Sequence, residues 1–196
     1  MKRAFLLMMI VLLVFGIGVM GCSSGAKAKI DNKELKKEYD NAPAWVLSGS
    51  KDDVFSGVGS AIIGKGGMQF ARTEAMSNGR SELARQISVK VRSLVNNFSQ
   101  QAGMGDEQTL DAFSKQVAKL VTDETLAGSR QKDIWISPKS EVFVLMVIDK
   151  DAVEASVRRQ VIQGYQQNSA KWQEFQAKNA NETLDREIEA AFGKQQ

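Results

Sequence analysis

The stretch that decides the fold is Glu141-Val142-Phe143-Val144-Leu145-Met146-Val147-Ile148-Asp149, an unbroken apolar run between two acidic residues. A continuous run of this length, rich in β-branched side chains, predicts a strand that is covered on more than one side and lies inside a sheet. Just before it, Arg130 to Ile136 reads as a second strand, and the turn-forming stretch Ser137-Pro138-Lys139-Ser140 joins the two. The pair is therefore expected to form an antiparallel hairpin.

Upstream of the hairpin, the pattern predicts one strand followed by two helices. Residues 53–61 read as a short strand containing glycine, which leads into the loop at residues 64–67. A helical period then runs from Met68 to about Phe98, and a second helix is expected from roughly Asp106 to Ala127. The two apolar stripes are Met76, Gly79, Leu83, Ile87, Val91, Leu94 and Phe98, and then Leu110, Phe113, Val117, Leu120 and Val121.

Gly79 stands inside the first stripe, where a glycine costs about 1 kcal/mol relative to alanine. We expect this cost to be accepted because the helix approaches the sheet closely at that point.

After the hairpin, Asp149 or Asp151 is expected to cap a further helix, which carries Val153, Val157, Val161 and Tyr165. The predicted fold is α+β: a small three-stranded antiparallel sheet in the order β-α-α-β-β-α, with its helices packed on one face and a C-terminal helical extension. We assign residues 43–166 to the domain and residues 167–196 to a helical tail, which breaks into two parts near Asn179. The tail's apolar residues, from Trp172 to Phe192, must be covered either by its own domain or by another copy of the chain.

The N-terminus has the features of an export signal. Lys2 and Arg3 precede an apolar run from Ala4 to Met20, which ends in Val19-Met20-Gly21-Cys22. This ending resembles the lipobox of bacterial lipoproteins, with an aliphatic residue three positions before the cysteine and a small residue directly before it. The alternative is a retained transmembrane anchor with an incidental cysteine, because the apolar run is near the shortest that can span a bilayer.

The lipobox resemblance implies that Cys22 receives a diacylglyceryl group, that residues 1–21 are removed as a signal peptide and that the new amine is acylated. Several acyl chains are enough for stable anchoring to a lipid bilayer. Residues 22–42 are polar and form the expected tether between the lipid and the domain. Ser23 resembles the residue that sorts lipoproteins to the outer membrane, so the expected location is lipid-anchored at the outer membrane, facing the periplasm.

Composition argues against several classes of function. Without residues 1–21, the chain carries 24 basic and 23 acidic side chains and has no basic cluster interleaved with aromatics, so nucleic acid is not an expected partner. The chain has no histidine and a single cysteine, which removes the usual catalytic triads, zinc sites and cysteine nucleophiles. Asp52, Asp53, Asp149 and Asp151 form two close pairs at strand ends, where turns and helix caps explain them better than calcium or catalysis. We therefore predict no catalytic, cofactor-binding or metal-binding residues and no enzymatic activity.

One motif invites a nucleotide-binding interpretation. The stretch Gly59-Ser60-Ala61-Ile62-Ile63-Gly64-Lys65 matches the first seven positions of a phosphate-binding P-loop, but Gly66 replaces the hydroxyl residue that would ligate magnesium. We interpret the glycines as structural, allowing the strand to pack closely and then turn into the helix.

The ordered segments together resemble the LPP-twenty lipoprotein family, which includes membrane-associated lipoproteins and a flagellar basal-disk lipoprotein of the outer membrane. The matching pieces are Pro43-Ala44-Trp45, Phe55-Ser56-Gly57-Val58-Gly59-Ser60-Ala61, the helix from Ala71 through Ala84-Arg85-Gln86-Ile87, Ile134-Trp135-Ile136, and Val142-Phe143-Val144-Leu145. The resemblance implies a non-enzymatic envelope lipoprotein that assembles with itself or recruits other envelope or flagellar components. The alternative is a periplasmic binding module for a small or peptide ligand. A pocket with convergent polar groups would favour the alternative, whereas an exposed apolar patch or sheet edge would favour assembly.

Overall fold

The computed structural model describes residues 32–49, 54–104 and 107–193. The predicted signal peptide, Cys22, Asp52 and Asp53 lie outside these ranges. The chain divides into two compact units, Met1–Lys37 and Glu38–Gln196, and the sheet lies in the second. The helices are α1 (Asn32–Tyr39), α2 (Trp45–Ser48), α3 (Gly67–Gln101), α4 (Glu107–Leu126), α5 (Lys150–Gln166), α6 (Ser169–Ala177) and α7 (Ala180–Phe192), and the strands are β1 (Val54–Ile62), β2 (Arg130–Ile136) and β3 (Glu141–Asp149).

The sheet has three antiparallel strands in the order β1-β3-β2, so the apolar strand β3 is central as predicted. Val142 to Ile148 are all buried, which confirms that both faces of this strand are covered. Alternate residues of the strand point to opposite faces. Val142, Val144, Met146 and Ile148 face the main core, and Phe143, Leu145 and Val147 face the other way. The α+β class and the order β-α-α-β-β-α are confirmed from Val54 onward, after the two short helices α1 and α2.

The long helix α3 runs over the core face of the sheet, and its predicted apolar stripe is buried except at Met76, which is half-buried. Glycines make the contact with β1 possible. A Cβ on Gly59 would fall well under 3.0 Å from backbone atoms of Ala75 and Gly79, and one on Gly57 would overlap the carbonyl of Gly79. A Cβ on Gly79 would in turn lie 2.7 Å from Cγ of Met146. The close approach predicted for Gly79 is therefore present, and it involves glycines on both elements.

Helix α4 packs beside α3 and α5, and its buried face includes Val117, Ala118 and Val121. The prediction that Leu120 belongs to this face is wrong, because its side chain is 41% exposed. Thr122 and Thr125 are buried on this helix, although neither belongs to the predicted apolar stripe.

Glu124 connects α4 to α5. Its carboxylate accepts hydrogen bonds from Ser156 Oγ at 2.7 Å and Gln160 Nε2 at 3.2 Å, and it pairs with Arg159. The hydrogen bond from Ser156 is the main reason that the pKa of Glu124 is lowered.

Asp149 stands at the N-cap position of α5, but its carboxylate does not cap the helix. Both of its oxygens accept hydrogen bonds from the Arg130 guanidinium, at 2.8 and 2.9 Å, across the edge of the sheet. The bidentate geometry favours this partner over a backbone N–H and lowers the pKa of Asp149. Asp151 is exposed in the first turn of α5.

The C-terminal tail folds over its own domain. Of the two alternatives for its apolar residues, coverage by the same chain is therefore the one observed, and not coverage by another copy. Phe175, Leu184, Ile188 and Phe192 are all buried in the same core as the sheet. The Phe192 ring meets that of Phe55 edge-on at 5.7 Å, so the end of the tail reaches β1. The two tail helices are separated near Asn179, which has a left-handed backbone (φ 49°), as the predicted break requires. The stripe is thus used within the chain and does not remain open for a second copy.

Candidate functional site: the anchor strap

The sheet face opposite α3 is covered by residues 38–49, which we call the anchor strap because they follow most of the segment predicted to be a tether. Antiparallel partners point to the same side of a sheet. Phe143 and Leu145 therefore share this face with their partners Trp135 and Val58. The strap crosses the face from the β2–β3 turn toward β1.

At the turn end, the strap is held by an acidic and an aromatic residue. Glu38 is only 8% exposed, and its carboxylate accepts a hydrogen bond from Ser137 Oγ at 3.4 Å and pairs with Lys139 Nζ at 3.0 Å. The ring of Tyr39 lies 6.1 Å from that of Trp135 and meets Phe143 edge-on at 6.0 Å. Burial, followed by the nearby carboxylates Glu141 and Glu38, raises the pKa of the Tyr39 hydroxyl.

At its other end, the strap is held by a tryptophan and a small apolar contact. Trp45 Nε1 donates a hydrogen bond to Asp133 Oδ2 at 2.7 Å, and the adjacent Val46 is buried. Gly49 has φ +71° and sits against β1, where an added Cβ would lie 2.9 Å from Ser56 Oγ. Trp45 thus fastens the start of the domain to β2.

The first residues of the strap, 38–42, contact the sheet, although the sequence analysis assigned them to the tether. Residues 22–42 are polar, and nothing in their composition shows that Glu38 and Tyr39 pack on the domain. The available signal was Tyr39 itself, an aromatic side chain in a polar stretch. The strap's contacts are apolar packing, ring contacts and hydrogen bonds. It can transmit a load from the tether to the central strand through buried and hydrogen-bonded contacts.

Two surface depressions flank α3 and α4. One groove of about 630 Å³ is open to solvent, and two of its polar side chains, Ser99 and Asp111, have partners within the domain. Ser99 Oγ lies 3.4 Å from Tyr165 Oη, and Asp111 is bound by Lys115 at 2.6 Å and Arg92 at 3.4 Å. A second groove, of about 400 Å³, is lined mainly by charged side chains, including Arg85, Arg92, Lys115, Lys119 and Asp123. The second groove brings four basic side chains together, but neither groove is the enclosed, mostly apolar pocket that is typical of small-ligand sites.

The P-loop-like stretch does not form a loop. Gly59 is within β1 and pairs with Val144, while only Ile63 to Gly66 connect β1 to α3. Lys65 is exposed in that connection. A strand whose amides are bonded to its neighbour cannot wrap around a phosphate, so the stretch lacks the geometry of a nucleotide site.

We expect Lys65→Ala to change the free energy of unfolding by no more than about 0.5 kcal/mol, as at ordinary surface positions. Nucleotide with magnesium should raise the melting temperature of neither the original chain nor the variant. Thermal melts with and without the ligand test both statements. A ligand-dependent rise that disappears in Lys65→Ala would restore the nucleotide interpretation.

Within residues 32–49, 54–104 and 107–193, no group of three or more cysteine, aspartate or glutamate side chains is arranged to hold a metal ion. No helix in these ranges is both long enough and apolar enough to cross a membrane.

The geometry is that of a small α+β domain fastened at its N-terminal side by a strap across the sheet. The family described as LPP20 lipoprotein matches residues 43–149, which is more than half of the chain. The chain therefore belongs to the LPP20 lipoprotein family, as its ordered motifs indicated. No curated protein matches it. Family membership indicates a membrane-associated envelope lipoprotein, and the match includes Trp45, the sheet, α3 and α4.

Proposed function

We propose that this protein is a non-enzymatic lipoprotein of the outer membrane, acylated at Cys22, that assembles with itself or recruits other envelope or flagellar components. The observation that carries the proposal is membership of a lipoprotein family in a chain whose single cysteine ends a lipobox. A diacylglyceryl thioether on Cys22 with a further chain on its amine would hold the mature protein on the bilayer.

The anchor strap supports this role physically. A tethered protein is pulled at the point where its tether meets the domain, and here that point is Glu38, beside the β2–β3 turn. The contacts of Tyr39 with Trp135 and Phe143 place the load on the central hairpin and not on a terminal helix.

Recruitment has surfaces available other than the tail. Val89 on α3 is 62% exposed and Leu120 on α4 is 41% exposed, so apolar side chains remain outside the core on the helical layer. The β2 edge is less suited to adding a strand. It is irregular between Gln131 and Asp133 and carries the exposed charge of Lys132, features that discourage edge pairing.

Replacing the thiol tests the anchoring step. We expect the original chain to incorporate a labelled fatty acid and to migrate as the shorter, processed form. Cys22→Ser should carry no label and should accumulate as precursor, because the acyl acceptor is absent. Ser24→Ala, two positions away, keeps the lipobox and should be labelled normally. Fatty-acid label on the Cys22→Ser protein would refute acylation at this residue.

A further inference from the structure

Four large apolar side chains are exposed around the same end of the sheet. Ile62 is 71% exposed, Phe70 65%, Ile136 47% and Met68 38%. We call these four residues the tether-end patch. Exposed apolar side chains that gather in one place indicate a surface that meets another apolar phase.

Strand pairing places the two isoleucines at this end. Ile62 is the last residue of β1 and pairs with Glu141, while Ile136 is the last residue of β2 and pairs with Val142. The connection after β1 is also bonded to the β2–β3 turn, because Ile63 N donates to Ser140 O at 2.8 Å. The ends of all three strands thus form one rim, with Ile62 on the strap face and Ile136 on the α3 face of the sheet.

The packing of α3 on β1 brings Met68 and Phe70 to the same rim. Gly57 lies against Gly79, and Gly59 lies against both Gly79 and Ala75, so the helix runs antiparallel to the strand. Two strand residues advance about 6.6 Å and four helix residues about 6 Å, so Ala61 is level with Ala71. Phe70 and Met68, in the first turn of α3, therefore lie beside the end of β1.

The N-terminal segment joins the domain at this same end. Glu38, the first residue of the strap, is bonded to Ser137 and Lys139 of the β2–β3 turn. Cys22 lies 16 positions upstream of Glu38. Even a fully extended segment of that length spans no more than about 58 Å, so the attachment of Glu38 at this rim limits how far the tether-end patch can lie from Cys22. An acylated Cys22 therefore keeps the tether-end patch within reach of the bilayer surface, and the exposed Lys65 in the adjoining loop suits a headgroup layer.

We propose that the tether-end patch is a second membrane contact, in which Ile62, Met68, Phe70 and Ile136 enter the interfacial layer of the bilayer that holds the acyl chains. This proposal rests on the proposed acylation of Cys22. Two contacts, one covalent and one formed by the patch, would fix the orientation of the domain. The other end of α3 would then point away from the membrane, toward partners.

The helix α3 offers a matched pair of positions for the test. Phe70 and Val89 are both apolar and exposed, at 65% and 62%, and they are 19 residues apart on the same helix, or about 28 Å. Because Cys22 is the only cysteine and would be acylated, a thiol introduced by Phe70→Cys or Val89→Cys would be the single reactive site. Each full-length protein, incorporated into phosphatidylethanolamine–phosphatidylglycerol vesicles, would receive a nitroxide spin label.

The measurement is the collision rate of each label with oxygen, which partitions into lipid, and with a water-soluble nickel chelate. We expect the ratio of oxygen to nickel accessibility to be several-fold higher at position 70 than at position 89. A label in Ile62→Cys should behave like the one at position 70. Unaltered thermal melts of the unlabelled variants would show that the fold is retained, as expected for exposed positions.

The outcomes separate this inference from the proposed function. Mass spectrometry first determines whether Cys22 is acylated, and an unmodified Cys22 would overturn both proposals. If Cys22 is acylated but positions 70 and 89 are equally accessible to nickel, the anchor stands and the membrane contact is refuted. Dipolar broadening between labels at position 70 would also refute it, since that surface would then be covered by a second copy of the chain.

Discussion

Gly59→Ala should lower the free energy of unfolding by about 3 kcal/mol or more, at the upper end of what overpacking costs. The added methyl group would overlap the carbonyl oxygen of Ala75 and the amide nitrogen of Gly79, which are backbone atoms of a continuous helix. A flexible side chain could move aside, but these atoms can move only if α3 lifts off β1. For a chain of this size, that loss corresponds to a fall in melting temperature of roughly 6–12 °C.

Gly64→Ala is the matched control. Nothing lies within 4 Å of a Cβ at Gly64, and its backbone is not left-handed. This variant should therefore be neutral or slightly stabilising, by about 0.4–1 kcal/mol through reduced freedom of the unfolded chain. Thermal and denaturant unfolding of the two variants measures the difference. Equal stability of Gly59→Ala and Gly64→Ala would show that the helix and strand are not in the contact described.

The strands were predictable because their signals are local. The bounds of β2 and β3 follow from an apolar run, a turn sequence and charged ends, all within 20 residues. The close approach at Gly79 was predictable for a different reason, since a glycine in an apolar helical stripe costs stability unless something needs the space. Its partners Gly57 and Gly59 could be paired with it only once the helix was placed on the strand.

The failures share a cause, which is that burial depends on distant parts of the chain. Leu120 fits the period of α4 as well as Val121 does, and only the position of α3 and α5 leaves it exposed. Asp149 has the residue type and place of a helix cap, but Arg130, brought alongside by strand pairing, takes its carboxylate.

The candidate site also has one part that local sequence predicts and one part that depends on distant contacts. Cys22 is predicted by a local motif, whereas the strap consists of contacts between residues almost 100 positions apart, such as Glu38 with Ser137. Polar composition marks a tether well, but it does not show where the tether ends. Tyr39 becomes part of the domain because Trp135 and Phe143 present an aromatic surface to it.

Removing the tail after Gln166 should unfold the domain. The truncation takes away Phe175, Leu184, Ile188 and Phe192, all of which are nearly or fully buried in the main core. Burial of four large apolar side chains is worth roughly 6–12 kcal/mol at about 1.5–3 kcal/mol each. This is comparable with the whole stability of an ordinary domain, about 5–15 kcal/mol. The truncated chain should therefore lose its cooperative thermal transition.

A point variant makes the same test without removing a segment. Phe175 is fully buried between Phe98 and Tyr165, with ring centroids at 6.1 and 5.2 Å, so Phe175→Ala should cost about 3–5 kcal/mol. Gln176→Ala changes the neighbouring exposed residue on the same helix and should cost little. Thermal melts measure stability, and light scattering measures mass. A tail that served self-assembly would give the opposite result, in which the truncated chain keeps its melting temperature and loses oligomeric mass. That result would mean that Phe175 and Phe192 are covered by another copy and not by the chain's own core.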